Sequence, residues 1–78
     1  MDIKMKIGLR IKDLRTKKNL SQNDLAFDVG MDRSYLASVE SGKRNVSSVN
    51  IERIATALQV TVKEFFDDKI FDEIFDMK

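Results

Sequence analysis

The sequence contains no cysteine, no histidine and no proline, and only three glycines, at positions 8, 30 and 42. Each absence removes a class of chemistry. Without cysteine no disulfide staples so short a chain, and a reducing compartment is compatible with it. Without histidine or cysteine, the usual zinc ligands and nucleophile–base pairs are missing. Isolated glycines make no phosphate-cradling loop. Paired carboxylates do occur, at Asp67/Asp68 and Asp72/Glu73, but on a charge-dense stretch with no pocket expected beside it. Neither an enzyme nor a metal, cofactor or small-molecule ligand is expected. No apolar run approaches the roughly 20 residues needed to cross a bilayer. The opening "MDIKMKIGLRIKDL" is broken by charge every second or third position, unlike a secretion signal. The expectation is a soluble, cytoplasmic protein that does not engage membranes.

The 78 residues are read as one domain, 1–78. A chain of this length buries only about 60–65% of its unfolded surface, so its stability margin is thin and oligomerisation is the natural source of extra burial. Net charge is +1, but it is unevenly spread. Residues 1–46 hold ten Lys and Arg against six acids, a net +4, and residues 47–78 hold four against seven, a net −3. Such asymmetry suggests one half facing a polyanion and the other facing something else.

Apolar spacing is helical throughout, with no strand period, so the fold class is all-α: a compact five-helix domain, or six if the tail forms its own helix. Ile7, Ile11 and Leu14 mark a first helix over about 5–18. "SQND" at 21–24 reads as a capping box opening a second helix that stops at Gly30. Asp32 is expected to cap a third helix, which Gly42 ends. Ser47 or Ser48 opens a fourth over about 48–58, carrying Ile51, Ile54, Ala55 and Leu58. "TVKE" at 61–64 starts a fifth, and Ile70, Phe71, Ile74 and Phe75 either extend it or form a sixth. The two short helices joined through Gly30-Met31-Asp32, about 21–42, have the length and spacing of a helix-turn-helix.

From about Ile7 to Phe66 the chain resembles the phage-repressor/Cro-type DNA-binding fold. The elements "LSQ-x-x-LA", "DRSYLAxVExGxRN" and "NIxxIAxALxVxxxxFF" look most like the controller proteins of bacterial restriction–modification systems, small dimeric transcription regulators. The resemblance implies double-stranded DNA as partner, read by the third helix in the major groove. Arg33 is the leading base-reading candidate, because its fork can bond guanine O6 and N7 together. Ser34, Tyr35 and Ser38 join it on the exposed face. Gln22, at the start of the second helix, matches a backbone-clamping position of related repressors. Lys43, Arg44 and Asn45, with Ser47 and Ser48, are the other expected backbone contacts. Arg15 and Glu40 match an arginine–glutamate pair that orients the reading helix.

Each of these residues has a plainer reading. Arg33 can pair with Asp32 or Asp28, Tyr35 can belong to the core, Ser34 and Ser38 can be solvated, Lys43 and Arg44 can be turn charges, and Ser47 can be only an N-cap. One such domain contacts too few base pairs for tight binding, so a homodimer on an inverted-repeat operator is expected. Its interface is assigned to Val60, Phe66, Ile70, Phe71, Ile74 and Phe75, in a C-terminal segment of about 61–77, while Val62 and Phe65 close the monomer core. The competing reading is a tail folded back on its own domain. Regulation of the chain's own operon makes RNA polymerase a further candidate partner. The alternatives are a phage-type or chromosomal repressor, and an antitoxin or anti-repressor whose main partner is another protein.

Overall fold

Five α-helices form in the computed structural model, which describes residues 1–74, and no strand occurs among the described residues. They are α1 (Ile3–Lys17), α2 (Gln22–Val29), α3 (Arg33–Glu40), α4 (Ser48–Ala57) and α5 (Val62–Phe66), followed by one 3-10 turn, Lys69–Phe71. α1 starts earlier than its inward-facing residues announce. The Asp2 carboxylate accepts the Met5 N–H at 3.0 Å and caps a first turn whose apolar residues, Ile3 and Met5, face outward.

The next starts and stops follow local chemistry. At α2, the Ser21 hydroxyl accepts the Asp24 N–H and the Asp24 carboxylate accepts the Ser21 N–H, both at 3.0 Å. Gly30 ends that helix at φ 76°, and the N–H groups of Gly30 and Met31 both return to the Ala26 carbonyl at 2.9 Å. Of the two serines before α4, Ser47 is the cap, accepting the Asn50 N–H at 3.1 Å. Thr61 and Glu64 repeat the reciprocal capping box at α5. Asp32, expected to cap α3, makes no side-chain cap bond; its carboxylate does not reach the first-turn N–H groups.

Beyond Phe66 the helical period does not continue among the described residues. The backbone leaves the helix at Asp67 (φ −85°, ψ 73°), and the Asp68 carboxylate then accepts the Ile70 N–H at 2.9 Å, capping the 3-10 turn. Phe75 lies outside the described residues.

The core is shared by all five helices: Ile11, Leu25, Leu36, Ile54, Leu58 and Phe65 are fully buried. Each such side chain contributes about 1.5–3 kcal/mol by leaving water. Val62, expected beside Phe65, is instead 41% exposed, because the first residue of this one-turn helix projects past the edge of the core. Two contacts of α1 organise the rest. Gly8 lets α1 cross directly over the end of α3; a Cβ there would fall under 3.0 Å from backbone atoms of Val39 and Glu40. Arg10 donates to the carbonyls of Phe65 (2.7 Å) and Glu64 (2.9 Å) and reaches the Asp68 carboxylate at 3.3 Å, holding the end of α5. Among the described residues no helix is long and apolar enough to cross a membrane.

Candidate nucleic-acid interface

α3 buries Leu36, Val39 and Glu40, which fixes the direction its other residues face. Arg33 and Ser34 lie exposed in its first turn, and Arg33 makes no ion pair among the described residues. Pairing with Asp28 or Asp32 is therefore not what holds it. Tyr35 is half-buried against the core, with its hydroxyl accepting a bond from Asn50 Nδ2 at 3.1 Å. Ser38, also half-buried, donates its hydroxyl hydrogen to the Tyr35 carbonyl at 2.7 Å, so it can meet another group only as an acceptor.

A buried carboxylate orients this helix from behind. Glu40 accepts from Arg15 Nε at 2.7 Å through one oxygen and from Arg15 Nη2 at 2.9 Å through the other. Arg15 Nη1 also donates to the Leu20 carbonyl at 2.8 Å. The Glu40 hydrogen bond raises the Arg15 pKa above its ordinary value, against the opposing effect of burial. Both side chains are about nine-tenths or more buried, and the fork is the bidentate geometry in which such pairs are strongest. Gln22 adds a third donor, its Nε2 lying 3.1 Å from Glu40 Oε1. That contact turns the Gln22 amide oxygen away from Glu40, because only the nitrogen can donate to a carboxylate. One carboxylate thus ties together α1, the start of α2 and the end of α3.

The turn after α3 supplies the cations. Gly42 takes φ 78°, and Lys43, Arg44 and Asn45 follow it exposed. Arg44 is more than a turn charge: its guanidinium sits 5.1 Å from the centre of the Tyr35 ring, a cation–π contact that joins the turn to α3. The Ser47 oxygen is occupied by its cap bond, leaving its hydrogen to donate, and Ser48 is exposed at the first position of α4. Sequence reasoning missed Asn50 and Arg53 of α4. Arg53 donates to Asn50 Oδ1 at 3.1 Å and to the Val29 carbonyl at 2.5 Å. Their three-residue spacing on one helix was visible, but nothing in the sequence says that Tyr35 and the end of α2 lie opposite.

The residues assigned to a second copy occupy the α5 end. Val60, Phe66, Ile70 and Phe71 are each half-buried, and Phe66 lies edge-on to both Phe65 (5.0 Å) and Phe71 (4.9 Å). Part of this cluster therefore covers its own core, and Ile74 is exposed. Beside it, Met1, Ile3, Phe66 and Phe71 line an open apolar trough of about 630 Å³. Lys6 borders the trough and pairs with Glu73 at 3.4 Å.

The sequence matches the helix-turn-helix family HTH_3 over residues 11–65. It is 47% identical to the control protein C.MunI of a Mycoplasma species over 68 residues, which is 86% of this chain and 92% of that relative. Among solved structures, the restriction–modification controller protein C.AhdI from Aeromonas hydrophila aligns at a TM-score of 0.77 with 54% identity, over 81% of this chain and 96% of that one. The controller protein C.Esp1396I, solved as a tetramer in complex with its natural 35 base-pair operator, aligns at a TM-score of 0.81 with 31% identity, covering 86% and 88% of the two chains.

Proposed function

This chain belongs to the helix-turn-helix family HTH_3, a family of DNA-binding transcription regulators and not an enzyme class, and on that footing we propose that it regulates its own operon as a restriction–modification control protein. It binds double-stranded DNA as a homodimer on a pseudo-palindromic operator, in the cytoplasm, where it meets RNA polymerase at the promoter. The observation that carries the reading is the face built on α3. Arg33 and Ser34 stand exposed at the helix start, Lys43, Arg44 and Asn45 follow at its end, and the buried Arg15–Glu40 fork fixes the helix behind them.

Their roles divide by chemistry. Arg33 reads a base edge, with Ser34 and Tyr35 beside it and Ser38 limited to accepting. Lys43 and Arg44 grip phosphates, as do the N–H groups and side chains at the starts of α2 (Gln22) and α4 (Ser47, Ser48). A dimer through Phe66, Ile70, Phe71 and Ile74 places two reading helices about 34 Å apart, one turn of duplex. The likeness to C.Esp1396I, whose tetramer was solved on its operator, supports assembly on DNA.

The test is selection of bound duplexes from a random pool at near-physiological salt. An enriched inverted repeat, with half-sites about one helical turn apart, is the expected result. Binding at low salt with nothing enriched would leave only a general polyanion face and refute the reading.

A further inference from the structure

We infer that Asn50 of α4 is a specificity-determining positioning residue: it fixes Tyr35 as a hydrogen-bond donor toward DNA, so that Tyr35 selects an acceptor on the duplex. The inference rests on the proposed reading of α3 as the DNA-facing helix.

The polarity follows from a chain of forced choices. Arg53 carries only donors, so the Asn50 atom 3.1 Å from its Nη1 must be the amide oxygen. The amide nitrogen then faces the Tyr35 hydroxyl, also at 3.1 Å, and donates to it. Arg53 cannot easily swing away, because its other nitrogen holds the Val29 carbonyl at the end of α2. Nor can Asn50 slide, because its own N–H is held by the Ser47 cap. A phenol oxygen that accepts from Asn50 keeps its single hydrogen for another partner. On DNA that partner must be an acceptor: a phosphate oxygen, guanine O6 or N7, adenine N7 or thymine O4. An amino group of cytosine or adenine would meet a hydroxyl oxygen already engaged by Asn50. Arg44 over the ring limits how far the phenol can tilt. Asn50 itself need touch no base, which separates its role from that of Arg33.

Asn50→Asp inverts this polarity with almost no change of shape. The carboxylate keeps Arg53, now as an ion pair, which protects the fold. It has no hydrogen to give Tyr35, so the phenol turns its own hydrogen inward. The experiment compares wild type, Asn50→Asp, Tyr35→Phe and the double variant on the selected operator and on a scrambled duplex at matched salt. The specific-to-nonspecific ratio removes the general effect of added negative charge. Tyr35→Phe and Asn50→Asp should each lower that ratio about five- to tenfold, the loss of one neutral hydrogen bond, and Asn50→Asp should lower it less than about twofold further once Tyr35 is Phe. A second readout needs no DNA. The chain has one tyrosine and no tryptophan, so emission excited beyond the phenylalanine absorption band reports Tyr35 alone. Hydrogen bonding of a phenol to a carboxylate quenches that emission, and Asn50→Asp should be dimmer than wild type at a similar melting temperature. Equal losses in the presence and absence of the Tyr35 hydroxyl, or no loss at all, would overturn the inference, as would unchanged fluorescence. If wild type itself shows no preference between the two duplexes, the DNA-reading proposal fails, while the fluorescence still decides the direction of the Asn50–Tyr35 bond.

Discussion

Replacing Gly8 by alanine should destabilise the protein, although helix propensity alone predicts the opposite. Gly8 lies inside α1, where alanine is better than glycine by about 1 kcal/mol. The new Cβ, however, would meet the backbone of Val39 and Glu40 at distances no relaxed structure tolerates. Overpacking of a core typically costs about 1–3 kcal/mol. Here the obstacle is backbone, not the far end of a flexible side chain, so the upper part of that range applies. Moving α1 away would also stretch the Arg15–Glu40 fork that crosses the same contact. The net expectation is a loss of about 2 kcal/mol from a total of about 4–12 kcal/mol for a chain of this length. Urea unfolding followed by circular dichroism, at one fixed protein concentration, measures it. With a slope near 1 kcal/mol per molar urea, the midpoint should fall by about 2 M. The exposed Lys12→Ala, in the same helix, should shift it by less than about 0.5 M. An unchanged or raised midpoint for Gly8→Ala would show that α1 does not need to lie against the end of α3.

Further outcomes follow from the same contacts. Glu40→Ala should cost about 3–5 kcal/mol in thermal unfolding by stranding the buried Arg15 charge, and Arg15→Met with Glu40→Leu should recover most of it; equal losses in both would put the damage elsewhere. Arg33→Ala should flatten sequence preference in a binding-site selection by about 1–3 kcal/mol at one position, whereas Lys43→Ala should weaken all duplexes alike and lower the salt slope by about 1. The capping boxes hold the Asp24 and Glu64 carboxyls below their ordinary values, first through the backbone N–H of Ser21 and Thr61 and then through their hydroxyls. Their stabilisation is complete above the unfolded carboxylate range near pH 4 and is lost as pH falls through the lowered folded values. Acid unfolding curves of Asp24→Asn with Glu64→Gln should therefore be flatter below about pH 4 than those of wild type.

What the sequence made legible was local. The bounds of α2 lie within a few residues of their causes, a serine–aspartate box and a glycine, and the same is true of Ser47 and of Thr61–Glu64. Inward positions repeat at helical spacing, so Ile11, Leu36, Ile54 and Leu58 could be placed in the core. The Asp32 cap was a local misreading, but most of what went unread acts at a distance. Gly8 resembles a mere weak point of a helix until the end of α3, some thirty residues away in the chain, is laid against it. Arg10 and Arg53 carried no assignment in the sequence, yet each donates to a carbonyl at the end of another helix. The Ile70–Phe71 period suggested more helix, but Asp67 and Asp68 break it, and Phe71 turns back onto Phe66. At the candidate interface, residue type was informative and hydrogen direction was not. Only coordinates reveal that Ser38 has spent its hydrogen and that Tyr35 has kept its own.

α1 touches both working ends of the molecule. Through Gly8 it rests on the last turn of α3, and through Arg10 it clasps the last turn of α5. These two residues are two apart on one rigid helix, so the offset between α3 and the C-terminal face is set as by a ruler. In a dimer built on that face, an error at this ruler is doubled by the symmetry axis. Loosening the Arg10 clasp would then leave each half-site read as before while blurring the tolerated gap between them. In such a dimer, spacing and not spelling would be the property that the Arg10 clasp governs.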